Sequence, residues 1–301
     1  MPMDVHIPCP TCKMQLKVSP EAIGRAARCG GCKSVFTVRP EPIRLRVSSA
    51  TSPGKVRDRN EDSLFVSQLA WAAGGTEREI TLIAVFDGMG GHAAGDHAAA
   101  IAANGLAVAL LPRLAALVAG VEEPPDDAGF LEMLDLALWE ANRAVHRIAS
   151  ADPALTGMGA TGVVALVWDG NVAVCHVGDC RAYLARGGAV HALTQDQTLA
   201  RRMVELGTLT ESQARTHPSL SQVTQALGRQ YDIEPSRQML RIERGDALVL
   251  VCDGVHAHLD EVALAGILAK HSEGEASAVV EAANVAGGSD NCTAIVARVR
   301  P

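Results

Sequence analysis

Aromatic side chains are scarce in this chain: four Phe, three Trp and two Tyr make up 3% of its 301 residues. A core must then be built from Ala, Val, Leu and Ile, which the 48% hydrophobic content supplies. A basic surplus is missing too, since the formal charge is −7, which argues against a general nucleic-acid binder. No apolar run is long enough for a membrane span. The longest, Ala98 to Leu111, is interrupted by Asn104 and Gly105, stopped by Pro112, and short of the ~20 residues required. The first residues are polar and contain cysteine, so no secretory leader is expected. Internal repeats are lacking as well. These absences predict a soluble cytoplasmic protein with no membrane partner and room for one large domain or two of ordinary size.

What is present begins with cysteine. Cys9-Pro10-Thr11-Cys12 and Cys29-Gly30-Gly31-Cys32 stand sixteen residues apart. Two such knuckles suit a tetrahedral thiolate site for one structural zinc ion, each offering two sulfurs at ~2.3 Å. A redox dithiol and a disulfide pair compete with this reading, although a thioredoxin-like motif needs one pair inside a longer strand-helix unit. A segment of about 35 residues buries too little apolar surface to fold alone, so metal binding would supply its folding free energy. The other four, Cys175, Cys180, Cys252 and Cys292, lie in or beside apolar strands as small buried hydrophobes. Residues 1–46 hold eight Lys and Arg against three Asp and Glu, a charge of +5 that leaves −12 for the rest. The spacing predicts a zinc ribbon over 1–40 and a larger domain over 41–301, joined at Arg39-Pro40-Glu41-Pro42.

The larger domain is organised around Ile80 to His92. Leu82 to Phe86 is an unbroken apolar run, expected to be a strand covered on both faces and ending at Asp87-Gly88. Ala247 to Gly254 repeats the design, an apolar strand ending in Asp253-Gly254, and Val172 to Asp179 ends in Gly-Asp. Asp290-Asn291 precedes a last apolar run. Four carboxylates at strand edges can converge on one end of a layered core and hold cations. Glu61 and Asp62 follow a charged loop, and as strand neighbours they point to opposite faces, so only one of them touches a metal directly. Helices are expected through Leu110 and from Phe130 to Ile148, where Leu131, Leu134, Leu138, Ala141, Val145 and Ile148 form a stripe. A meander is expected over Gly157 to Thr194, short helices near 198–206 and 210–216, and further helices over roughly 260–285. The element order suits two packed sheets flanked by helices.

With these residues in place, residues 43–300 resemble the metal-dependent protein phosphatase 2C (PPM) family in its bacterial form. The matching motifs are Arg57-x-x-Asn60-Glu61-Asp62, Asp87-Gly88-Met89-Gly90-Gly91-His92, Gly159-Ala160-Thr161, Val177 to Tyr183, Leu193-Thr194-x-Asp196, His217-Pro218, Ala226-Leu227-Gly228, Asp253-Gly254 and Gly288 to Asn291. The resemblance implies an α+β fold, a four-layer α-β-β-α sandwich with two packed antiparallel sheets flanked by helices. It implies that Asp87 bridges two Mn2+ or Mg2+ ions and that the Gly88 carbonyl joins it. Asp253 and Asp290 would complete the first ion, Glu61 the second, with Asp62 behind it. Asp179 and Asp253 would hold a third, weaker ion. Arg57 would clamp phosphate while water activated between the two metals attacks phosphorus in line.

Some positions depart from the family pattern. Met89 stands where animal members have a proposed acid histidine, with His92 nearby. Cys180, Gln197 and Cys252 also replace familiar residues. His256 and His258 are expected on the surface rather than as an extra metal site. The implied function is hydrolysis of Ser/Thr phosphoproteins, substrates of a bacterial Ser/Thr kinase, with the ribbon for targeting or regulation through an unnamed partner. A phosphosite-binding scaffold and a nucleic-acid reader acting through the ribbon are the competing expectations.

Overall fold

Among the described residues, two short hairpins make up the N-terminal unit, Met1–Ile43, and Arg44–Pro301 is the second unit. The computed structural model describes residues 5–19, 22, 25–38, 43–73, 76–90, 94–214 and 217–300. The joint at 39–42, together with Gly91 and His92, lies outside the described residues. In the first unit β1 (Val5–Pro8) pairs antiparallel with β2 (Gln15–Val18), and β3 (Ala26–Arg28) with β4 (Val35–Thr37). Each hairpin turns through one cysteine knuckle. The Cys9 N–H donates to Met14 O at 2.8 Å and the Cys29 N–H to Ser34 O at 2.9 Å. Lys13 and Lys33, just past the knuckles, both adopt left-handed backbone, φ 60° and 62°. One turn is thus used twice, and it brings the two sulfur pairs together.

The second unit has two five-stranded antiparallel sheets. The first runs in the order β12 (Ser236–Arg241), β9 (Asn171–Val177), β8 (Gly159–Trp168), β7 (Thr76–Met89) and β6 (Asp62–Ala73). The second runs β11 (Ala189–Ala192), β10 (Arg181–Arg186), β13 (Ala247–Val251), β14 (Cys292–Val299) and β5 (Leu45–Ser52). Helices α1 (Ala94–Ala119) and α2 (Asp127–Ala151) cover the first sheet. Two short helices, α3 (Leu199–Glu205) and α4 (Glu211–Ala214), follow β11, and α6 (Glu261–Lys270) and α7 (Glu275–Ala286) cover the second sheet. Ile80, Leu82, Ala84 and Phe86 of β7 share a core cluster with Leu106, Leu110, Leu134, Leu138 and Val145 of α1 and α2. Strand side chains alternate, so Ile83, Val85, Asp87 and Met89 face the other sheet. The predicted stripe on α2 is buried except at its ends, Leu131 and Ile148.

Three details differ from the expectations. Strand β7 does not stop at Asp87: Gly88 and Met89 continue the ladder opposite Ala160 and Gly159. Pro112 does not end α1, because the carbonyl its missing N–H leaves free belongs to Val108, which is 78% exposed and can bond water. The resulting 26-residue helix is long and apolar enough by composition to cross a membrane, and in this structure its apolar side is packed in the core. Residues 157–194 are not one meander. The chain leaves the first sheet after β9 and enters the second at β10, turning at Gly178, whose φ of +93° and contact with Thr161 leave no place for a Cβ.

Candidate active site

Asp62 opens β6 directly across from Asp87 on β7, and Asp87 pairs on its other side with Thr161 of β8. The second sheet contributes three more acids at the ends of its strands. Asp179 sits between β9 and β10, Asp253 starts the short helix α5 (Asp253–His256) after β13, and Asp290 lies two residues before β14. Carboxylates distant in sequence therefore meet where one end of each sheet faces the other.

Their electrostatics report that meeting. The Asp87 carboxyl is held well above the usual range, first by removal from water and then by the nearby carboxylates of Asp253, Asp62 and Asp179. Asp62 is pushed up to about 7 by burial, with Asp253 and Asp290 adding to the effect and a Thr293 hydroxyl opposing it. That hydroxyl donates to Asp62 Oδ2 at 2.6 Å, while Oδ1 is buried with no partner. Asp179 is pushed up to about 7 by burial, then by Asp253 and Asp196. Asp290 is held differently: its Oδ2 accepts from Arg57 Nη2 at 2.7 Å and its Oδ1 from the Asn291 N–H at 2.9 Å. Arg57 is thereby raised further above its ordinary value, with Glu61 and Asp253 contributing.

Glu61 and Gly88 lie side by side against the start of α1. The Gly88 N–H donates to Glu61 O at 3.1 Å. A Cβ on Gly95 would stand 2.8 Å from Glu61 Cδ and 2.9 Å from Gly88 O, so only glycine lets α1 approach both.

Sequence reasoning named Asn60 and Asn291 only as members of motifs and missed Thr51 and Thr293, and these four hold the arrangement. Asn291 is buried, and its amide ties down the loop carrying Arg57 and Glu61: Nδ2 donates to Pro53 O at 3.0 Å and Arg59 O at 2.8 Å, and Oδ1 accepts from the Glu61 N–H at 2.8 Å. Behind Asp62, Thr293 and Thr51 share a hydroxyl contact of 2.7 Å, and Asn60 Nδ2 donates to Thr51 at 2.7 Å. The His256 and His258 pair is half-buried rather than on the surface. Nε2 of His256 meets Asp179 O at 3.0 Å, and Nε2 of His258 meets Ser289 Oγ at 3.0 Å, so both brace acid-bearing turns. Cys180 and Cys252 are fully buried beside the acids, and burial followed by the nearby carboxylates drives both thiols far up.

The donor set fits hard divalent cations. It consists of carboxylates and one candidate carbonyl, its acids raise one another's affinity for protons, and a buried oxygen of Asp62 has no hydrogen-bond donor. The cysteine site fits a softer ion. Sγ atoms of Cys9 and Cys32 are 3.6 Å apart, as are those of Cys12 and Cys29, and all four lie within 4.8 Å of one another. A tetrahedral zinc site with ~2.3 Å bonds has edges of about 3.8 Å, whereas a disulfide needs about 2.05 Å. Among the described residues only this group brings three or more such ligand atoms so close; the carboxylates span a wider opening.

The Protein phosphatase 2C family profile matches residues 58–282, beginning after the ribbon. The serine/threonine protein phosphatase PstP of Mycobacterium tuberculosis is 34% identical over 257 residues, 85% of this chain and 45% of PstP. Protein phosphatase PhpP of Streptococcus pneumoniae is 32% identical over 251 residues, 83% of this chain and 95% of PhpP. The chain thus spans about half the length of the mycobacterial relative and nearly all of the streptococcal one. Among solved structures, the catalytic domain of PstP in complex with two manganese ions superposes with a TM-score of 0.68 at 30% identity, covering 86% of this chain and all of that one. The S. agalactiae serine/threonine phosphatase superposes at 0.73 and 28% identity, covering 85% of this chain and all of that one. The profile, the relatives and the paired sheets agree that this chain belongs to the protein phosphatase 2C family.

Proposed function

We propose that the chain is a metal-dependent Ser/Thr phosphoprotein phosphatase. The observation that carries this reading is the meeting of Asp62, Asp87, Asp179 and Asp253 from two sheets, beside Asp290 and its partner Arg57. In this reading Asp87, the Gly88 carbonyl, Glu61, Asp253 and Asp290 hold two Mn2+ or Mg2+ ions, Asp62 braces them from behind, and Asp179 with Asp253 holds a weaker third. Such ions, when bound, supply a water acidic enough to attack phosphorus near neutral pH. Arg57 orients the phosphate. Its guanidinium now rests on Asp290 Oδ2, so presenting two N–H groups to phosphate oxygens means leaving that oxygen. No protein nucleophile is needed, and the Cys180 and Cys252 thiols remain protonated.

The ribbon, in the same reading, binds one structural Zn2+ through Cys9, Cys12, Cys29 and Cys32 and serves targeting or regulation. The substrates are phosphoproteins made by a Ser/Thr kinase in the cytoplasm. Manganese-dependent hydrolysis of an aryl phosphate and a phosphothreonine peptide tests the activity. The Asp87→Asn variant is expected to lose about 10³-fold or more in rate, since the group that brings the ions together is gone. No turnover by folded, manganese-loaded protein would leave only a phosphosite-binding scaffold.

A further inference from the structure

Near the proposed metal site stands Arg229, which has no acidic partner among the described residues. Asp87 and Met89 are two residues apart on β7, so their side chains leave the same face about 7 Å apart along the strand. Gly159 of β8 is directly opposite Met89, and a Cβ there would point to that same face. The space is filled instead by Arg229: its Cγ lies 2.6 Å from where that Cβ would be, and its Nη1 reaches Met89 Sδ at 3.7 Å. The aliphatic stem thus lies over Gly159 and the guanidinium emerges beside Met89.

The mount is rigid although the side chain is exposed. Leu227 and Ala160 exchange two backbone hydrogen bonds of 2.8 and 3.0 Å, and Gly228 turns with φ +84° hard against Val145. Asn142, fully buried on α2, accepts from the Gly228 N–H at 2.7 Å and donates to Gln230 O at 3.1 Å and Tyr231 O at 2.9 Å. Two arginines that reach the acids themselves are paired, Arg57 with Asp290 and Arg181 with Asp196, both at 2.7 Å. Among the described residues no carboxylate lies within ion-pair distance of Arg229. A cation fixed by its backbone, laid along the site-facing side of the sheet and left unpaired beside an acidic centre is arranged for an anion that arrives from outside.

Resting on the phosphatase reading, we propose that Arg229 is a specificity-determining residue that binds an acidic side chain two residues from the phosphorylated residue of the substrate. In an extended peptide, side chains two residues apart share a face and stand about 7 Å apart, the separation between Asp87 and Met89 along β7. A carboxylate or a second phosphoryl group meets the guanidinium fork with charge-assisted hydrogen bonds.

The test compares phosphothreonine peptides that carry Glu or Ala two residues before or after the phosphothreonine, by kcat/KM and by fluorescence anisotropy, on the full chain loaded with manganese. Wild type is expected to favour the better-placed Glu peptide over its Ala counterpart about fivefold, as a partly exposed charge pair allows. Arg229→Gln should bring that ratio to about one, Arg229→Lys should keep part of it, and Arg229→Glu should invert it. Equal handling of Glu and Ala peptides by wild type, or a preference that survives Arg229→Gln in a variant with wild-type melting, overturns the assignment. If no peptide is turned over, the phosphatase reading fails by itself. The anisotropy ratio then still decides whether Arg229 selects an acidic neighbour, and equal binding of Glu and Ala peptides rejects it.

Discussion

Asp62 and Asp179 show how single residues record the demand for cations. Each carboxyl is pushed up to about 7, burial being the main cause, and one oxygen of Asp62 has no donor at all. The consequence for stability has a definite sign. Between the ordinary value of 3.8 and about 7 the unfolded chain has released this proton and the folded chain keeps it, so the metal-free fold loses stability as pH rises through that window. In chelator, Asp179→Asn is expected to melt above wild type at pH 8, with the gap closing toward pH 4, as read by calorimetry. A gap equal at both pH values would mean that Asp179 carries no such cost. At the same scale, the sequence made Asp87 and Asp253 legible because each ends an apolar run. It left Thr293 silent, because its partner Asp62 is 231 residues away on the other sheet.

The element that most controls the site is the loop from Pro53 to Glu61, which brings Arg57 and Glu61 to the acids. It has no regular structure of its own, and three hydrogen bonds from the Asn291 amide pin it to the start of β14. Asn291→Ala removes all three and leaves the Pro53 and Arg59 carbonyls and the Glu61 N–H to water, which should cost about 2–4 kcal/mol in chemical denaturation. It should also raise KM for aryl phosphate more than it lowers kcat, because Arg57 loses its support; an unchanged KM would contradict this. Strand β7 was legible as an apolar run but not its extension through Met89, since glycine next to an acid reads as a turn until Ala160 and Gly159 are known to pair with it. The change of sheet at Gly178 was hidden for a similar reason: hairpin signals on either side are the same whether or not the chain crosses over. The knuckles were legible in full because their chemistry is local, four sulfurs fixed by two short turns.

For the whole molecule, the two units rest on different sources of stability. The second has two sheets and a large aliphatic core that offsets the shortage of aromatics, while the first is small, with Ile7 and Val38 among its few buried apolar residues. On the zinc-ribbon reading, Cys12→Ser should abolish zinc binding and the melting of the ribbon as a cooperative unit, and leave the main transition of the second unit in place; a single transition lowered throughout would show the two units to be one. The central claim is that distant carboxylates form one cation site. Equilibrium binding of Mn2+ to the full chain at pH 8 and pH 6 tests it most directly. At least two ions are expected to bind saturably at pH 8, with protons released on binding and affinity falling toward pH 6 as Asp62 and Asp179 hold their protons, and Asp87→Asn should lose this binding. Manganese that binds no better at pH 8 than at pH 6, or that binds Asp87→Asn as well as wild type, would contradict the account.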